Sequence, residues 1–176
     1  YNVIIHTFTG DLGQPNTCEE LFSYVNHNNL SIDVLINNAG ISYVGLLQDM
    51  TYEEWNTCVS TNLSSIFYTC KQCIPNMLKL GYGKIINISS VWGNVGASCE
   101  VAYSATKGGV NSFTKALAKE LAPSNIQVNA IAFGLMDTEM NNHLSIEDKQ
   151  DLMDEIPAGA MGTTDDAGQM ILSILS

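Results

Sequence analysis

The stretch KIINIS, residues 84–89, decides the fold class of this chain. Its three isoleucines do not alternate regularly with polar residues, and Gly81 and Gly83 precede the run. A short apolar run of this kind, bounded by glycine, is typical of a strand that is buried on both faces of a parallel sheet. Three further runs share this character. The four predicted strands cover residues 2–7, 32–37, 84–89 and 126–132.

Segments with helical patterns fill the gaps between these strands. Residues 51–54 have the spacing of a capping box, so a long helix should begin there and run to about Leu80, with a kink at Pro75. Residues 17–20 have the same spacing, which predicts that the first helix begins at Thr17. Further helices are predicted over residues 102–121, 145–155 and from 164 onwards. The alternation indicates a single doubly wound α/β domain over residues 1–176.

The composition excludes several classes of protein. Of the 176 residues, 45% are hydrophobic and 14% are charged, which is typical of a globular domain rather than a disordered chain. Asp and Glu number 18 against 7 basic residues, all of them Lys, and the net charge is −11. Phosphate backbones and anionic membranes attract basic surfaces, so this balance argues against both as partners. No run of apolar residues is long enough to predict a membrane-spanning helix.

The five cysteines are an odd and scattered set, which is unlike a disulfide framework. They indicate reduced thiols in a cytoplasmic protein. Cys70 and Cys73 form a C-x-x-C pair, so a thiol-redox role is one hypothesis for the function. No second pair supplies the ligands that a zinc site needs, and no metal site is predicted. Because both cysteines fall in the long helical segment, we expect them to be small core residues.

Small or polar residues follow each predicted strand. Ligands of doubly wound sheets bind outside the carboxyl ends of the strands, so these positions predict a ligand crevice lined by backbone. The positions are Asp11, Asn38 to Gly40, Ser89 and Ser90, and Gly134 to Thr138.

Tyr103 and Lys107 lie four residues apart in a predicted helix and therefore on one face of it. A phenol has a pKa near 10, and a cation close to it can lower that pKa by roughly 1–3 units, toward the range of acid–base catalysis. The spacing alone is weak, because two residues on a helix surface would show it too. Ser90, at a strand end, can donate a hydrogen bond to a carbonyl oxygen. Asn62 is an unusual choice inside a long helix unless something uses its amide.

Together these residues belong to an ordered set of motifs that resembles the short-chain dehydrogenase/reductase family over nearly the whole chain. The motifs are Asp11-Leu12, Asn37-Asn38-Ala39-Gly40, Asn62, Ile88-Ser89-Ser90, Tyr103-Ser104-Ala105-Thr106-Lys107, and Asn129-Ala130-Ile131-Ala132 followed by Gly134 and Thr138.

The resemblance implies a Rossmann-like fold and reversible hydride transfer between a carbonyl and a nicotinamide cofactor, NADP or NAD, with NADPH slightly favoured. Ser90 would polarise the carbonyl and Tyr103 would protonate the alkoxide. Lys107 would lower the pKa of Tyr103 and hold the nicotinamide ribose, while Asn62 would position a water. Contacts to the cofactor would come from Asp11 and Leu12 on the adenine side, Asn38, Ala39 and Gly40 on the adenosine ribose side, Tyr103 and Lys107, and Gly134 and Thr138 at the nicotinamide end.

This sequence departs from the family pattern in three respects. The glycine-rich phosphate turn T-G-x-x-x-G-x-G does not occur, and we expect it to precede residue 1 together with family strands 1 and 2. The family's seventh strand is expected beyond Ser176, so the sheet would be incomplete. Phe133 occupies the position before Gly134 where the family usually has proline, which would re-aim the loop over the nicotinamide.

The substrate is less strongly indicated than the family. The chain is similar to 3-oxoacyl-[acyl-carrier-protein] reductases, and residues 91–101 look more like reductases of a 5-aminopentanone group on elongation factor P. An acidic surface is a poor match for an acidic carrier protein. The expected partners are a ketone, free or carried on a protein, and further copies of the chain in a homodimer or homotetramer. The alternative is a catalytically inactive Rossmann module that binds a nucleotide or a partner.

Overall fold

A computed structural model of the chain describes residues 3–141 and 145–176, in which helices and strands alternate. The helices are α1 (Pro15–His27), α2 (Tyr52–Val59), α3 (Ser65–Leu80), α4 (Trp92–Val95), α5 (Val101–Leu121), α6 (Ile146–Asp154) and α7 (Thr164–Leu175). The strands are β1 (Val34–Asn37), β2 (Gly83–Ser90) and β3 (Ile126–Phe133). Short 3-10 helices cover Leu47–Asp49, Ala122–Ser124 and Glu139–Asn141, and a π-helical turn at Ser60–Ser64 joins α2 to α3.

The three described strands form one parallel sheet in the order β1-β2-β3. Val34 is paired with Lys84, and Gly83 is paired with Ile126. β2 is the central strand, so both of its edges are paired, and seven of its eight residues are buried, including residues on both of its faces. This burial explains why KIINIS lacks polar alternation, and the predicted Rossmann-like α/β class is confirmed.

The predicted strand over residues 2–7 is wrong for the described residues. Residues 3–10 form no strand, and the side chain of Ile4 is 87% exposed. A strand needs a neighbouring strand to take up its backbone hydrogen bonds, and no described strand pairs with this segment. Residue 2 lies outside the described residues.

Most predicted helices are confirmed, but α1 begins two residues earlier than expected. Thr17 lies inside α1 and does not cap it, because Pro15 occupies the first helical turn, where its fixed φ favours the helix. The capping box at Thr51 is confirmed: the Thr51 hydroxyl accepts a hydrogen bond from the Glu54 amide, and the Glu54 carboxylate accepts one from the Thr51 amide. Helix α4 was not predicted.

The long central helix runs continuously from α2 to α3, with its irregularity at Ser60–Ser64. Pro75, where a kink was expected, remains inside α3. The π-helical turn contains Asn62, so the position that is unusual by composition is also unusual in backbone geometry. Turns of this kind are frequent at functional sites.

The core lies between the sheet and helices α1, α3 and α5. It contains Cys18, Cys70 and Cys73, as predicted for the two helical cysteines. Burial raises the pKa of both Cys70 and Cys73 to about 12, so these groups remain thiols at neutral pH. In the part of the chain that the structure describes, no group of three or more metal-ligating side chains occurs, and no helix is long and apolar enough to cross a membrane.

Candidate active site

The four predicted catalytic residues come from three elements that meet at the carboxyl end of the sheet. Ser90 is the last residue of β2, Tyr103 and Lys107 lie on α5, and Asn62 lies in the π-helical turn. Asn62, Ser90 and Lys107 are all buried. Polar groups that are withdrawn from water in this way need partners, and each of the three has them.

Lys107 is directed between Tyr103 and the end of β2. Its Nζ lies 5.5 Å from the centroid of the Tyr103 ring and donates a hydrogen bond of 2.8 Å to the carbonyl of Ile88. Burial lowers the pKa of Lys107 to about 8, an effect that the nearby Cys58 thiol partly opposes. At neutral pH the side chain is therefore an ammonium group that has lost much of its preference for the proton.

The pKa of Tyr103 is raised above its ordinary value, chiefly by burial. A hydrogen bond with the Ser90 side chain lowers the pKa, while Glu100 and Cys58 raise it further. The net shift of the Tyr103 pKa is therefore upward, opposite to the decrease that was predicted from the proximity of Lys107. Burial destabilises the phenolate more than the hydrogen bond stabilises it, and the ammonium group is bonded to a backbone carbonyl.

Ser90 is held in place by the start of α4. Its Oγ accepts a hydrogen bond of 3.2 Å from the amide of Trp92, and the Ser90 side chain lowers the pKa of Tyr103. The next residue of α4, Gly93, lies directly against the backbone of Lys107: a Cβ atom added there would be 2.6 Å from its carbonyl carbon. The short helix therefore contacts both β2 and α5, the elements that carry three of the predicted catalytic residues.

The Asn62 side chain fixes the loop that follows β1. Its Oδ1 accepts a hydrogen bond from the amide of Ile41, and its Nδ2 donates one to the carbonyl of the same residue, both of 2.8 Å. Nδ2 also lies 3.2 Å from Thr106 Oγ1 and 3.4 Å from Cys58 Sγ. The side-chain amide is thus fully used within the protein.

The predicted cofactor residues fall into two groups. Leu12, Asn38 and Ala39 line one cavity of about 250 Å³ beside β1. The exposed Asp11 is not among its lining residues, and its carboxylate accepts a hydrogen bond from the amide of Gly13. Leu12, Asn38 and Ala39, which were predicted to contact the adenosine part of the cofactor, therefore lie around one cavity.

Gly134 and Thr138 follow β3, in the loop next to the end of β2, where the carbonyl of Phe133 accepts a hydrogen bond from the amide of Val91. Within the described ranges, no hydrogen bond joins Gly134 or Thr138 to the catalytic residues. The structure thus places these two near the strand ends without bringing them into the catalytic group.

The residues present fit part of a nicotinamide dinucleotide. A Cβ atom added at Gly40 would lie 3.4 Å from Asn62 Oδ1 and 3.5 Å from Lys107 Nζ, so glycine keeps open the space beside the ammonium group. A ribose hydroxyl can approach Nζ from that side, whereas the cavity at Leu12 and Asn38 is lined mostly by apolar side chains. No glycine-rich turn that would cradle the pyrophosphate occurs in this sequence.

Two interactions at the mouth of the site were missed by sequence reasoning. The Ser42 hydroxyl donates a hydrogen bond of 2.9 Å to the carboxylate of Glu100, and the amide of Gly45 donates one of 2.8 Å to the carbonyl of Cys99. They join the loop after β1 to the loop before α5. The one available signal was the position of Glu100, three residues before Tyr103.

Comparison with known proteins identifies similar chains. A family model described as short chain dehydrogenase matches residues 2–149. The chain is 41% identical over 150 residues to the 3-oxoacyl-[acyl-carrier-protein] reductase FabG of Chlamydia pneumoniae, covering 85% of this chain and 60% of that protein. It is 39% identical over 145 residues to the uncharacterized oxidoreductase YmfI of Bacillus subtilis, covering 82% of this chain and 60% of that protein. The chain thus spans about 60% of the length of these two relatives.

A solved structure with the same fold is that of an Agrobacterium tumefaciens protein assigned as a gluconate dehydrogenase. Its TM-score is 0.84 at 31% identity, and the match covers 88% of this chain and 62% of that one.

Proposed function

Because this chain belongs to the short-chain dehydrogenase family, we propose that the complete protein reduces a ketone to a secondary alcohol with a nicotinamide cofactor. The observation that carries this proposal is the meeting of Ser90, Tyr103 and Lys107 at one end of the sheet. The Ser90 side chain lowers the pKa of Tyr103, and the ammonium group of Lys107 lies 5.5 Å from the Tyr103 ring. When bound, the reduced nicotinamide supplies the hydride.

Tyr103 serves as the proton donor. Its raised pKa keeps the phenol protonated at neutral pH, which is the state that reduction requires. As the carbonyl carbon gains the hydride, the phenol O–H bond breaks and the proton passes to the developing alkoxide oxygen. The phenolate that remains lies beside the ammonium group of Lys107, whose Nζ is 5.5 Å from the ring centroid.

Ser90 orients and polarises the carbonyl. Its Oγ already accepts a hydrogen bond from the amide of Trp92, so its own proton is directed away from the backbone and can be donated to the ketone oxygen. A donor fixed in advance stabilises the negative charge that develops on that oxygen without reorganising during the reaction.

The proposed roles of Lys107 and Asn62 are to bind the cofactor ribose and to position a water molecule. The Lys107 ammonium group uses one N–H for the carbonyl of Ile88 and has two more for a ribose hydroxyl and for the phenolate. The side-chain amide of Asn62 is hydrogen-bonded to the backbone of Ile41. A water positioned by Asn62 would therefore have to bind the main-chain carbonyl of Asn62, which lies in the π-helical turn.

Two substrate classes are supported by different observations. The relatives named as 3-oxoacyl-[acyl-carrier-protein] reductases support a 3-oxoacyl group on a carrier protein. Residues 91–101 and the net charge of −11 support a ketone on a neutral or basic protein, such as the 5-aminopentanone of elongation factor P. The cofactor is NADP or NAD, with NADPH favoured, and the protein would act as a cytoplasmic homodimer or homotetramer.

Replacing Tyr103 by phenylalanine tests the proposal. We expect the variant to keep its fold and its affinity for the cofactor and to lose roughly 10²–10⁴-fold in kcat, the usual contribution of a general acid. Tyr52→Phe is the matched control, because Tyr52 is exposed on α2. Oxidation of NADPH and NADH should be followed over a panel of ketones. Wild-type binding of cofactor without turnover would favour the inactive binding module instead, and full activity of Tyr103→Phe would refute the assignment.

A further inference from the structure

Glu100 holds a carboxylate at the mouth of the catalytic site, between the two loops that border it. It is half-buried and lies one helical turn before Tyr103. Its Oε2 accepts a hydrogen bond of 2.9 Å from the hydroxyl of Ser42, whose loop is also held by the bond from Gly45 to Cys99. The carboxylate is therefore fixed in place and does not extend freely into solvent.

The helix does not need this carboxylate. Glu100 is the N-terminal capping residue of α5, a position at which the short side chains of Ser, Thr, Asp and Asn usually accept hydrogen bonds from the first amides of the helix. Here the side chain makes no such bond, and only the backbone carbonyl contributes, accepting from the amide of Ser104 at 2.8 Å. The side chain is directed to Ser42 instead.

No cation of residues 3–141 or 145–176 neutralises this charge. In those ranges the hydrogen-bond partner of the Glu100 carboxylate is the Ser42 hydroxyl. The side chain whose charge affects the pKa of Lys107 is Cys58 and not Glu100. Burial raises the pKa of Tyr103, and the negative charge of Glu100 adds to that increase. A half-buried carboxylate without a counter-ion, next to a ligand site, favours a positively charged ligand.

The neighbouring cleft has the same sign of charge. Ser42 also lines a cleft of about 290 Å³ whose other lining residues include Glu53 and Glu54 and no lysine. Burial raises the pKa of Tyr43 in this cleft, and the negative charges of Glu54 and Asp49 raise it further. The Ser42 side of the site therefore presents negative charge to a substrate.

We propose that Glu100 is a specificity-determining residue, which favours a ketone that carries a positive charge a few bonds from the carbonyl over an uncharged ketone of the same shape. This proposal rests on the ketone reduction proposed above. Tyr103 fixes the position of the carbonyl oxygen, and the Ser42–Glu100 pair lies on the side from which the remainder of the substrate would enter. An anionic substrate would be disfavoured by the same charge.

Three ketones of similar length test the proposal on the complete protein. The first is 5-(trimethylammonio)pentan-2-one, which carries a permanent positive charge; the second is its uncharged carbon isostere, 6,6-dimethylheptan-2-one; the third is the anion 5-oxohexanoate. We expect wild-type kcat/KM to be about tenfold higher for the cation than for the isostere, and lowest for the anion. A difference of this size is expected from the interaction of one partly exposed carboxylate, Glu100, with the charge on the ketone. The preference should decrease with added salt.

The variant Glu100→Gln should bring the cation and its isostere to within about twofold of each other, mainly by raising KM for the cation. It should also move the pH profile of Tyr103 to lower pH, because a negative charge beside the phenol is removed. Glu120→Gln, which removes an exposed carboxylate near the far end of α5, should leave the preference unchanged. Should Glu100→Gln fail to fold, Glu100→Asp keeps the charge and should retain part of the preference.

Turnover of the uncharged isostere with no preference for the cation would overturn the role of Glu100 and leave ketone reduction intact. An undiminished preference in Glu100→Gln would overturn it as well. Absence of turnover with any of the three ketones and a wider panel would refute the proposed function, and the role of Glu100 with it.

Discussion

Replacing Gly93 by alanine would disturb the contact between α4 and the backbone of Lys107. The added Cβ atom would lie 2.6 Å from the carbonyl carbon of Lys107, 2.8 Å from its oxygen and 2.9 Å from the amide nitrogen of Gly108. Carbon atoms normally approach no closer than about 3.5 Å, so the two helices would have to separate by roughly 1 Å. Backbone atoms cannot turn aside as a flexible side chain can.

Two effects of this separation are expected in Gly93→Ala. Overpacking should lower the free energy of unfolding by about 1–3 kcal/mol, measured by urea denaturation. Displacement of Ser90 and Lys107 by a large fraction of an ångström should lower kcat/KM for a ketone by about 10–100-fold. Gly168→Ala is the matched control, since nothing lies within 4 Å of its added Cβ atom and it sits inside α7, where alanine is favoured. A Gly93→Ala variant as stable and active as the wild type would refute the close contact.

Three further predictions concern the charged, thiol and amide groups of the interior. Burial lowers the pKa of Lys107 from 10.5 to about 8, so between these pH values the unfolded chain binds more protons than the folded chain. The free energy of unfolding of the wild type, relative to that of Lys107→Met, should therefore increase as the pH rises through this range. A decrease over the same range would contradict the burial of Lys107. Cys70 and Cys73, with pKa values raised to about 12, should resist iodoacetamide in the native protein, as mass spectrometry would show, whereas rapid labelling with loss of activity would favour the thiol-redox hypothesis. Asn62→Ala should lower the free energy of unfolding by at least ~1–3 kcal/mol, because the amide and carbonyl of Ile41 lose their partner, and unchanged urea denaturation would show that water replaces it.

Local signals in the sequence predicted most elements of the fold. KIINIS is apolar because β2 is covered on both faces, and the capping box at Thr51 is a contact between neighbours in the chain. The segment at residues 3–10 has the composition of a strand but none of its pairing, because pairing depends on a distant part of the sheet. At α1, the fixed φ of Pro15 determined the start of the helix, although the spacing at Thr17 suggested another start.

The candidate site could be predicted as a set of residues but not as an electrostatic environment. Ser90, Tyr103 and Lys107 were found because their order and spacing resemble the motifs of a known family. The direction of the Tyr103 pKa depends on burial, which spacing does not report, and on Glu100. The bond from Ser42 to Glu100 joins residues 58 positions apart, so no local pattern contains it.

Double substitution of Ser90 and Tyr103 tests most directly whether the two hydroxyls act on one oxygen atom. Single-turnover oxidation of the bound reduced cofactor by a ketone should be measured for Ser90→Ala, Tyr103→Phe and the combination. Groups that work as a unit are strongly non-additive, so we expect the double variant to be about as slow as the slower single variant. Rate losses that multiply in the double variant would contradict a shared site of action.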